Sequence, residues 1–286
     1  MQSTLGFGDR LAERMESFGP LCVGVDPHPE LLAQWGLDDS AEGLQKFSET
    51  VLTAAKGRVA VIKPQVAFFE RHGSAGFKVL EDLLAEAHEN QIMVVADAKR
   101  GDIGSTMKAY AESWLETDSA LGTDSVTVSP YLGFESLRPA IDIAHRNGRG
   151  IFALALTSNP EGASVQHMGD SVESVASKII AAAQAENAKQ EFSQMGSCGL
   201  VIGATVGNAL KKLNIDLSHF NGPVLAPGFG AQGAGVQELY SVFEGIESQV
   251  LVNSSRGILR HGPCVEGLID SIESTNSELK NVNNRH

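Results

Sequence analysis

Segment 97–102, with the sequence DAKRGD, concentrates acids and bases within six residues. Asp97 and Lys99 are two residues apart, so on an extended segment their side chains point to the same side. Asp26 ends an earlier apolar run, and Lys63 lies near the end of another. Carboxylates and ammonium groups that meet in one site can stabilise developing charge and transfer protons. The sequence therefore predicts acid–base and electrostatic chemistry at these residues and at Asp102.

Each of these residues also has a purely structural interpretation. Asp102 precedes the helical pattern IGSTMKAY and could act as a helix N-cap. Asp97 and Lys99 could form a structural ion pair, and Lys63 or Asp26 alone could be a solvated residue at the rim of the fold. Because four ionisable groups follow three consecutive apolar runs, we favour a common functional site.

The sequence GFGAQG at 228–233 matches the GxGxxG pattern of phosphate-binding loops. A dinucleotide-binding fold would place an acid after the following strand, whereas the chain continues there as NSSRG, 253–257. The alternative is a phosphate site in which backbone N–H groups of two neighbouring loops meet the anion and Arg256 supplies the charge. The purely structural alternative is that these glycines only form a turn and that Arg256 is a surface residue.

Metal and nucleic-acid sites have little support in the sequence. The eight histidines form no HxH or HExxH pattern, and no carboxylate-rich loop resembles a calcium site. We therefore expect no metal. Trp35, Trp114 and the scattered phenylalanines fit a hydrophobic core better than a base-stacking surface, so we expect no nucleic-acid partner.

The candidate residues follow short apolar runs that alternate with helical patterns. The runs are continuous, as in parallel strands that are buried on both faces. There are eight of them: LCVGVD (21–26), VAVIKP (59–64), IMVVAD (92–97), SVTVSP (125–130), GIFALALT (150–157), CGLVIGAT (198–205), PVLAPGFG (223–230) and QVLVNSS (249–255).

Eight strand–loop–helix units predict an α/β fold, a (β/α)8 TIM barrel, with a doubly wound open sheet as the alternative. A further helix is predicted before the first strand, from about residue 4 to residue 17. We interpret 158–197 as an insertion plus one regular helix, and we expect the polar segment 273–286 to fray. No second domain is indicated, so residues 1–286 are expected to form a single domain.

The composition limits the cell compartment and the partners. The chain has 286 residues with 42% hydrophobic and 20% charged residues, and its net charge is −13. A globular fold is expected, and the negative charge argues against nonspecific binding to nucleic acid or to an anionic membrane. The three cysteines form no CxxC motif, and neither a targeting signal nor a membrane span is apparent. These features predict a cytoplasmic protein.

VADAKRGDIGST resembles the Asp-x-Lys-x-x-Asp-Ile signature of the orotidine 5'-phosphate decarboxylase family, which catalyses the last step of UMP synthesis. The resemblance continues in family order through LCVGVD, VIKPQVAFFE, VSPYLGFESL, LTSNPEGASVQ, APGFGAQG and NSSRGIL. The SNP motif and the long fifth connection are similar to the longer bacterial subgroup, type 2. The resemblance implies the same barrel fold and a reaction without a cofactor.

The resemblance also implies a role for each catalytic residue. Asp97 would lie against the substrate carboxylate, and Lys99 would protonate C6 as CO2 leaves. Lys63 and Asp102 would complete a charged tetrad. The protein would be a homodimer with shared active sites, in which Asp102, Ile103 and Thr106 reach into the site of the partner.

The same resemblance implies how orotidine 5'-phosphate is bound. Asp26 and Lys63 would hold the ribose hydroxyls. Ser158 would meet the pyrimidine edge, although the TSNP motif offers Thr157 as an alternative. The phosphate would be bound by Gly230, Gln232, Arg256 and Gly257.

Two other functions are compatible with parts of the sequence. Sugar-phosphate decarboxylases and synthases of the same barrel suite share the DxKxxD motif and usually use magnesium, but the SNP and GAQG motifs argue against them. A noncatalytic sensor of phosphate ligands is the second alternative. Two carboxylates at the entrance for an anion would only weaken binding in a sensor, so the charged set favours catalysis.

Overall fold

The computed structural model describes residues 5–169, 173–230 and 235–283, and its centre is a closed barrel of eight parallel strands. Each strand pairs with its neighbours in chain order, and the last pairs with the first. The strands are β1 (Leu21–Val25), β2 (Val61–Pro64), β3 (Met93–Arg100), β4 (Ser125–Val128), β5 (Gly150–Leu156), β6 (Cys198–Ile202), β7 (Val224–Pro227) and β8 (Val250–Ser254). The predicted TIM barrel is confirmed, and the open-sheet alternative is wrong.

All eight predicted strands lie where the apolar runs placed them, and β3 extends past the end of its run. It continues three residues beyond the predicted end at Asp97, as far as Arg100. The pairing of β3 with β4 shifts register between residues 96 and 100, and Lys99 within this shift has a φ of 47°. The strand therefore extends through a bulge, which hydrophobic patterning cannot reveal.

Helices surround the barrel and connect its strands. Among the described residues they are α1 (Phe7–Phe18), α2 (Pro29–Gln34), α3 (Ala41–Ala55), α4 (Ala67–Glu70), α5 (Gly73–Glu89), α6 (Gly104–Leu115), α7 (Arg138–Arg146), α8 (Ala163–Gln166), α9 (Val175–Asn187), α10 (Ala209–Lys212), α11 (Val236–Val242), α12 (Arg256–Leu259) and α13 (Val265–Asn283). Short 3-10 helices span Phe134–Leu137, Pro160–Gly162 and Glu247–Gln249. None of the described helices has both the length and the apolar character needed to cross a bilayer.

The C-terminal segment is more ordered than its polar composition predicts. The expectation that the chain frays from residue 273 is wrong as far as Asn283, where α13 ends. Leu279 is fully buried, and its carbonyl accepts a hydrogen bond from the Tyr240 hydroxyl at 3.2 Å. The Asn276 amide donates to the carbonyls of Phe18 and Arg58. These contacts with distant parts of the chain hold the helix in place.

The N-terminal ends of the strands are closed by α1. Phe7 is fully buried and packs edge-on against Phe152 of β5, with 5.9 Å between the ring centroids. A Cβ atom at Gly150 would lie 2.2 Å from the Phe7 ring, so this approach requires glycine. The barrel interior above it is apolar and includes Val61, Val95, Phe152, Val201, Leu225 and Leu251. The opposite end of the barrel is where the candidate residues lie.

Candidate active site

The polar residues of the site follow from the alternation of side chains along the strands. Val61 and Val95 belong to the apolar barrel interior. Lys63 and Asp97 are each two residues further along the same strands. Their side chains therefore also point into the barrel, one layer closer to the C-terminal ends of the strands. They line a cavity of about 350 Å³ at the C-terminal ends of the strands. Active sites of TIM barrels lie at this end.

The Asp97 carboxylate is the centre of the site and accepts four hydrogen bonds. Lys63 Nζ and Gln65 Nε2 each lie 3.0 Å from Oδ2. Lys99 Nζ lies 2.6 Å from Oδ1, and Thr127 Oγ1 lies 3.0 Å from the same oxygen. The predicted ion pair between Asp97 and Lys99 is therefore present, and it is part of a larger network. Four donors fix the position of this carboxylate.

Electrostatics keep the buried members of the network charged. Burial acts to raise the pKa of Asp97, but the ammonium groups of Lys63 and Lys99 outweigh it and hold this pKa well below its usual range. Burial acts to lower the pKa of Lys63, and the carboxylates of Asp97 and Asp26 reverse this effect and raise it. Asp97 is therefore an anion and Lys63 a cation at neutral pH.

Asp26 has a vacant acceptor atom at the cavity. Its Oδ1 atom is buried and has no hydrogen-bond partner among the described residues. A buried carboxylate oxygen usually has a donor in native proteins. Since Asp26 lines the cavity, a ligand hydroxyl could supply this donor.

The cavity combines charged, polar and apolar walls. Besides Lys63, Asp97 and Asp26, its lining includes Lys99 and Thr127 on one side. The lining also includes Gln65, Leu154, Thr157, Ser158, Asn159, Val201, Leu225, Pro227, Gly228, Phe229, Asn253, Ser255, Arg256 and His28. Such a mixture suits a ligand that has an apolar part and several polar groups.

Three of the predicted phosphate residues line a second cavity beside the central one. Arg256 lines both the central cavity and a neighbouring one of about 310 Å³, which Gly230, Gly257 and Arg260 also line. The guanidinium of Arg256 makes no ion pair with any residue in the described part of the chain. Gly230 has a φ of 75°, a conformation that favours glycine. Gln232 lies outside the described residues.

Asp102 and Thr106 do not line the cavity of their own chain. Asp102 is half-buried, and its Oδ1 accepts the backbone N–H of Ile103 at 2.8 Å. Thr106 is exposed in the first turn of α6. The alternative in which Asp102 caps this helix is wrong, because Ile103 occupies the N-cap position and no side chain caps the helix. Within one chain, the structure therefore brings together Lys63, Asp97 and Lys99 of the predicted tetrad, but not Asp102.

The TSNP motif lies at the cavity, and its Thr157 is hydrogen-bonded within the chain. Thr157 Oγ1 accepts Gln166 Nε2 and donates to Asn159 Oδ1, each at 2.7 Å. The Thr157 backbone N–H donates to Gln166 Oε1 at 2.8 Å. Ser158 is exposed and also lines the cavity. Thr157 and Ser158 therefore both lie at the cavity, and the choice between them stays a prediction.

Sequence reasoning missed several residues of the site. Gln65 and Thr127 bind Asp97 directly, and Asn253 and His28 line the cavity. One signal was present in the sequence, because Thr127 is a polar residue at an alternating position of the apolar run SVTVSP. Gln65 stands two residues after Lys63, which places it on the same side of an extended chain.

Comparisons with known proteins agree with this geometry. The family model described as "Orotidine 5'-phosphate decarboxylase / HUMPS family" matches residues 19–268. A Streptomyces coelicolor protein named orotidine 5'-phosphate decarboxylase is 54% identical over 268 residues, 92% of each chain. A protein of the same name from Salinispora arenicola is 50% identical over 263 residues, again 92% of each chain.

Solved structures show the same relationship. A crystal structure from Streptomyces avermitilis, of a protein provisionally named orotidine 5'-phosphate decarboxylase, has a TM-score of 0.91 and 52% identity, covering 98% of this chain and 96% of that chain. The structure of Leishmania donovani OMP decarboxylase has a TM-score of 0.78 and 26% identity, covering 97% of this chain and 98% of that chain. The chain therefore belongs to the orotidine 5'-phosphate decarboxylase / HUMPS family.

Proposed function

We propose that this enzyme decarboxylates orotidine 5'-phosphate to UMP and CO2, the final step of UMP synthesis, without a cofactor. The observation that supports this most directly is the array of Lys63, Asp97 and Lys99 at the cavity. It places a fixed anion between two ammonium groups at the end of the barrel where ligands bind. Loss of CO2 from an sp2 carbon leaves a localised carbanion, and fixed cations beside that carbon stabilise it.

The chemical step uses two of these residues. The substrate carboxylate lies beside Asp97, and the bond between C6 and the carboxylate carbon breaks while its electron pair stays on C6. Lys99 Nζ gives its proton to C6, and solvent then reprotonates the amine. Lys99 suits this role because its side chain is about half exposed and reaches the cavity, while Lys63 is buried. Repulsion between Asp97 and the substrate carboxylate is relieved as CO2 leaves.

The remaining cavity residues hold the nucleotide. The vacant Oδ1 of Asp26 accepts a ribose hydroxyl, and Lys63 donates to the ribose. Ser158 meets the pyrimidine edge. The phosphate lies against Arg256 and against the backbones of Gly230 and Gly257, with Gln232 as a further ligand. Binding energy from the phosphate then holds the carboxylate beside Asp97.

The fourth member of the tetrad comes from a second copy of the chain. Asp102 and Thr106 do not line the cavity of their own chain, which fits a site in a homodimer. Ile103, Tyr131 and Leu132 are exposed on neighbouring loops after β3 and β4, with 61%, 78% and 54% of their surface accessible. Exposed apolar residues of this kind support a protein interface at the open end of the barrel.

Mixing inactive variants tests the shared site. A D102A chain mixed with a K99A chain should form heterodimers in which one of the two sites has both residues. Random exchange then restores roughly one quarter of the wild-type activity. If exchange is verified by mass spectrometry and the mixture stays as inactive as its parents, Asp102 does not act in the partner's site.

A metal-free assay separates the proposed reaction from that of a sugar-phosphate enzyme. Protein purified in the presence of EDTA is given orotidine 5'-phosphate, and conversion to UMP is followed by absorbance and by CO2 release. Turnover should not change when EDTA is added. No turnover of this nucleotide, together with magnesium-dependent turnover of a hexulose phosphate, would contradict the proposal and favour the alternative.

We also propose that residues 1–286 form one domain that works in the cytoplasm. The family model spans 19–268, which leaves short segments at both ends. All three cysteines are free thiols, with Cys22 and Cys198 buried and Cys264 exposed. Free thiols are typical of a reducing compartment.

A further inference from the structure

Thr127 lies opposite a bulge that contains the reactive residues. The register of β3 against β4 shifts between residues 96 and 100, so residues 97–99 face Thr127 alone. Thr127 is 1% exposed. A bulge changes the direction of the side chains on the strand that contains it. The direction of the Asp97 and Lys99 side chains therefore depends on what holds the bulge.

The backbone of Lys99 has an unusual conformation. Its φ of 47° lies in the left-handed region, which residues other than glycine rarely adopt. The Lys99 backbone N–H donates to Thr127 Oγ1 at 2.9 Å. The threonine hydroxyl thus supplies an acceptor at the point where the strand pairing is interrupted.

The same hydroxyl also binds the catalytic carboxylate. Thr127 Oγ1 donates to Asp97 Oδ1 at 3.0 Å, and this oxygen accepts Lys99 Nζ at 2.6 Å. A hydroxyl has one proton, so accepting the N–H of Lys99 directs that proton to Asp97. One side chain therefore joins the backbone of the lysine to the carboxylate that its ammonium group contacts.

We propose that Thr127 is a positioning residue that sets the direction of the Lys99 ammonium group relative to Asp97. The geometric part of the inference rests on these contacts, and its kinetic part rests on the proposed function. Valine has nearly the shape of threonine but lacks the hydroxyl, so T127V removes both hydrogen bonds. Serine keeps the hydroxyl, so T127S retains them.

Ser125 provides a matched control on the same strand. It is two residues before Thr127, on the same side of β4, and it is fully buried. Its hydroxyl has no hydrogen-bond partner in the described part of the chain. S125A therefore removes a buried hydroxyl of β4 without touching Asp97 or Lys99.

The kinetic test compares T127V, T127S and S125A with the wild type on orotidine 5'-phosphate. In T127V, kcat should fall by about 100-fold, the order expected for misplacement of a reacting group, while KM stays within about threefold. T127S should recover kcat to within about tenfold of the wild type. S125A should match the wild type. A T127V enzyme with wild-type kcat, or a T127S enzyme as slow as T127V, overturns the proposal.

Chemical labelling tests the geometry without using activity. Limiting acetic anhydride is added to each folded protein, and acetylation of Lys99 is measured by mass spectrometry relative to the exposed Lys108. T127V should label Lys99 several-fold faster, because its ammonium group is no longer held by Asp97. T127A replaces T127V if that variant does not fold. Unchanged labelling in these variants overturns the positioning role.

The two readouts also separate this inference from the proposed function. If the wild type does not turn over orotidine 5'-phosphate, the proposed reaction fails, and the labelling result alone decides whether Thr127 directs Lys99. If the wild type is active, Thr127 is a positioning residue only when both kcat and labelling change in T127V.

Discussion

Lys63 Nζ lies 3.0 Å from Asp97 Oδ2, and both side chains are almost completely removed from water. Burying two charges costs free energy that their attraction barely repays, so such a pair is a poor way to stabilise a fold. With Asp26 and Lys99 the site contains two acids and two bases. In the proposed reaction, the substrate carboxylate adds a further anion to these groups, and decarboxylation removes it. We therefore expect these groups to destabilise the bound substrate more than the bound product.

Separating this pair should destabilise the protein. K63M leaves Asp97 and Asp26 without their buried cation, and we expect the free energy of unfolding to fall by about 3 kcal/mol. D97N should have an effect of similar size because Lys63 then lacks its partner. In the K63M/D97N double variant, the free energy of unfolding should fall by less than the sum of the losses in the two single variants. Urea unfolding of the four proteins measures these values, and strictly additive losses would show that the pair does not couple.

Much of this site could be predicted because it depends on local patterns. The apolar runs located all eight strands, and the residues at their ends included Lys63, Asp97 and Lys99. Side chains two residues apart on a regular strand share a side, which predicted the contact between Asp97 and Lys99, but in the structure the bulge of β3 also sets the direction of Lys99. Arg256 and Gly230 were predicted from a loop pattern, and both line the cavity next to the central one.

The rest depends on contacts between distant segments. The hydrogen bond between Thr127 and Asp97 joins strands 30 residues apart, and it exists because β3 bulges there. No periodicity marks a bulge, since it adds residues without changing the apolar pattern. The position of Asp102 outside the cavity follows from the loop after β3, which the sequence pattern cannot orient. The order of α13 likewise depends on the Asn276 contacts with Phe18 and Arg58.

Arg256 should contribute to catalysis through the phosphate. Because charge-assisted contacts to a dianion are strong where water is excluded, we expect R256A to lower kcat/KM by about 1000-fold. Added guanidinium should restore part of this activity. The control is a substrate that lacks the phosphate, on which R256A and the wild type should be equal. An equal loss on both substrates would show that Arg256 acts on another part of the reaction.

A second ion-pair cluster, on the outside of the barrel, should control stability in acid. Glu186 of α9 is buried and accepts Arg138 Nη1 at 2.7 Å and Nη2 at 2.8 Å, and Lys189 Nζ lies 2.7 Å from Oε2. The hydrogen bonds from Arg138 lower the pKa of Glu186 to about 2, against the opposing effect of burial and with help from Lys189. The unfolded chain therefore takes up this proton at higher pH than the folded protein.

The cluster predicts a pH-dependent loss of stability. Since the pKa of Glu186 is depressed in the folded state, its contribution is present above about pH 4.5 and is lost as the pH falls towards about 2. At neutral pH, E186Q should lower the free energy of unfolding by about 2 kcal/mol. Between about pH 2 and pH 4.5, the free energy of unfolding of E186Q should also change less with pH than that of the wild type. The control is E135Q, because Glu135 binds the same arginine but is exposed. Equal effects of E186Q and E135Q would contradict the assignment of this pH dependence to Glu186.

Lys99 should be the residue whose loss most reduces the chemical step. K99A removes the proposed proton donor, which is also the cation proposed to face the developing carbanion, so decarboxylation should fall by many orders of magnitude. The affinity for UMP should change far less, because the product has no carboxylate and the residues proposed to hold it, Asp26 and Arg256, are unchanged. Single-turnover CO2 release and UMP binding, measured on the same preparation, separate the two effects. R100A is the matched control, since Arg100 pairs with Glu70 outside the cavity.

The outcome for K99A decides between two interpretations of the lysine. If its ammonium group only balances the charge of Asp97, then D97N/K99A should recover activity relative to K99A, because the neutral amide no longer needs a cation. If Lys99 is the proton donor, the double variant stays as slow as K99A. A K99A protein that decarboxylates within about tenfold of the wild type, a barrier change of about 1.4 kcal/mol, would exclude Lys99 from the chemical step. The roles proposed for Asp97 and Lys63 as its partners would then have to be abandoned as well.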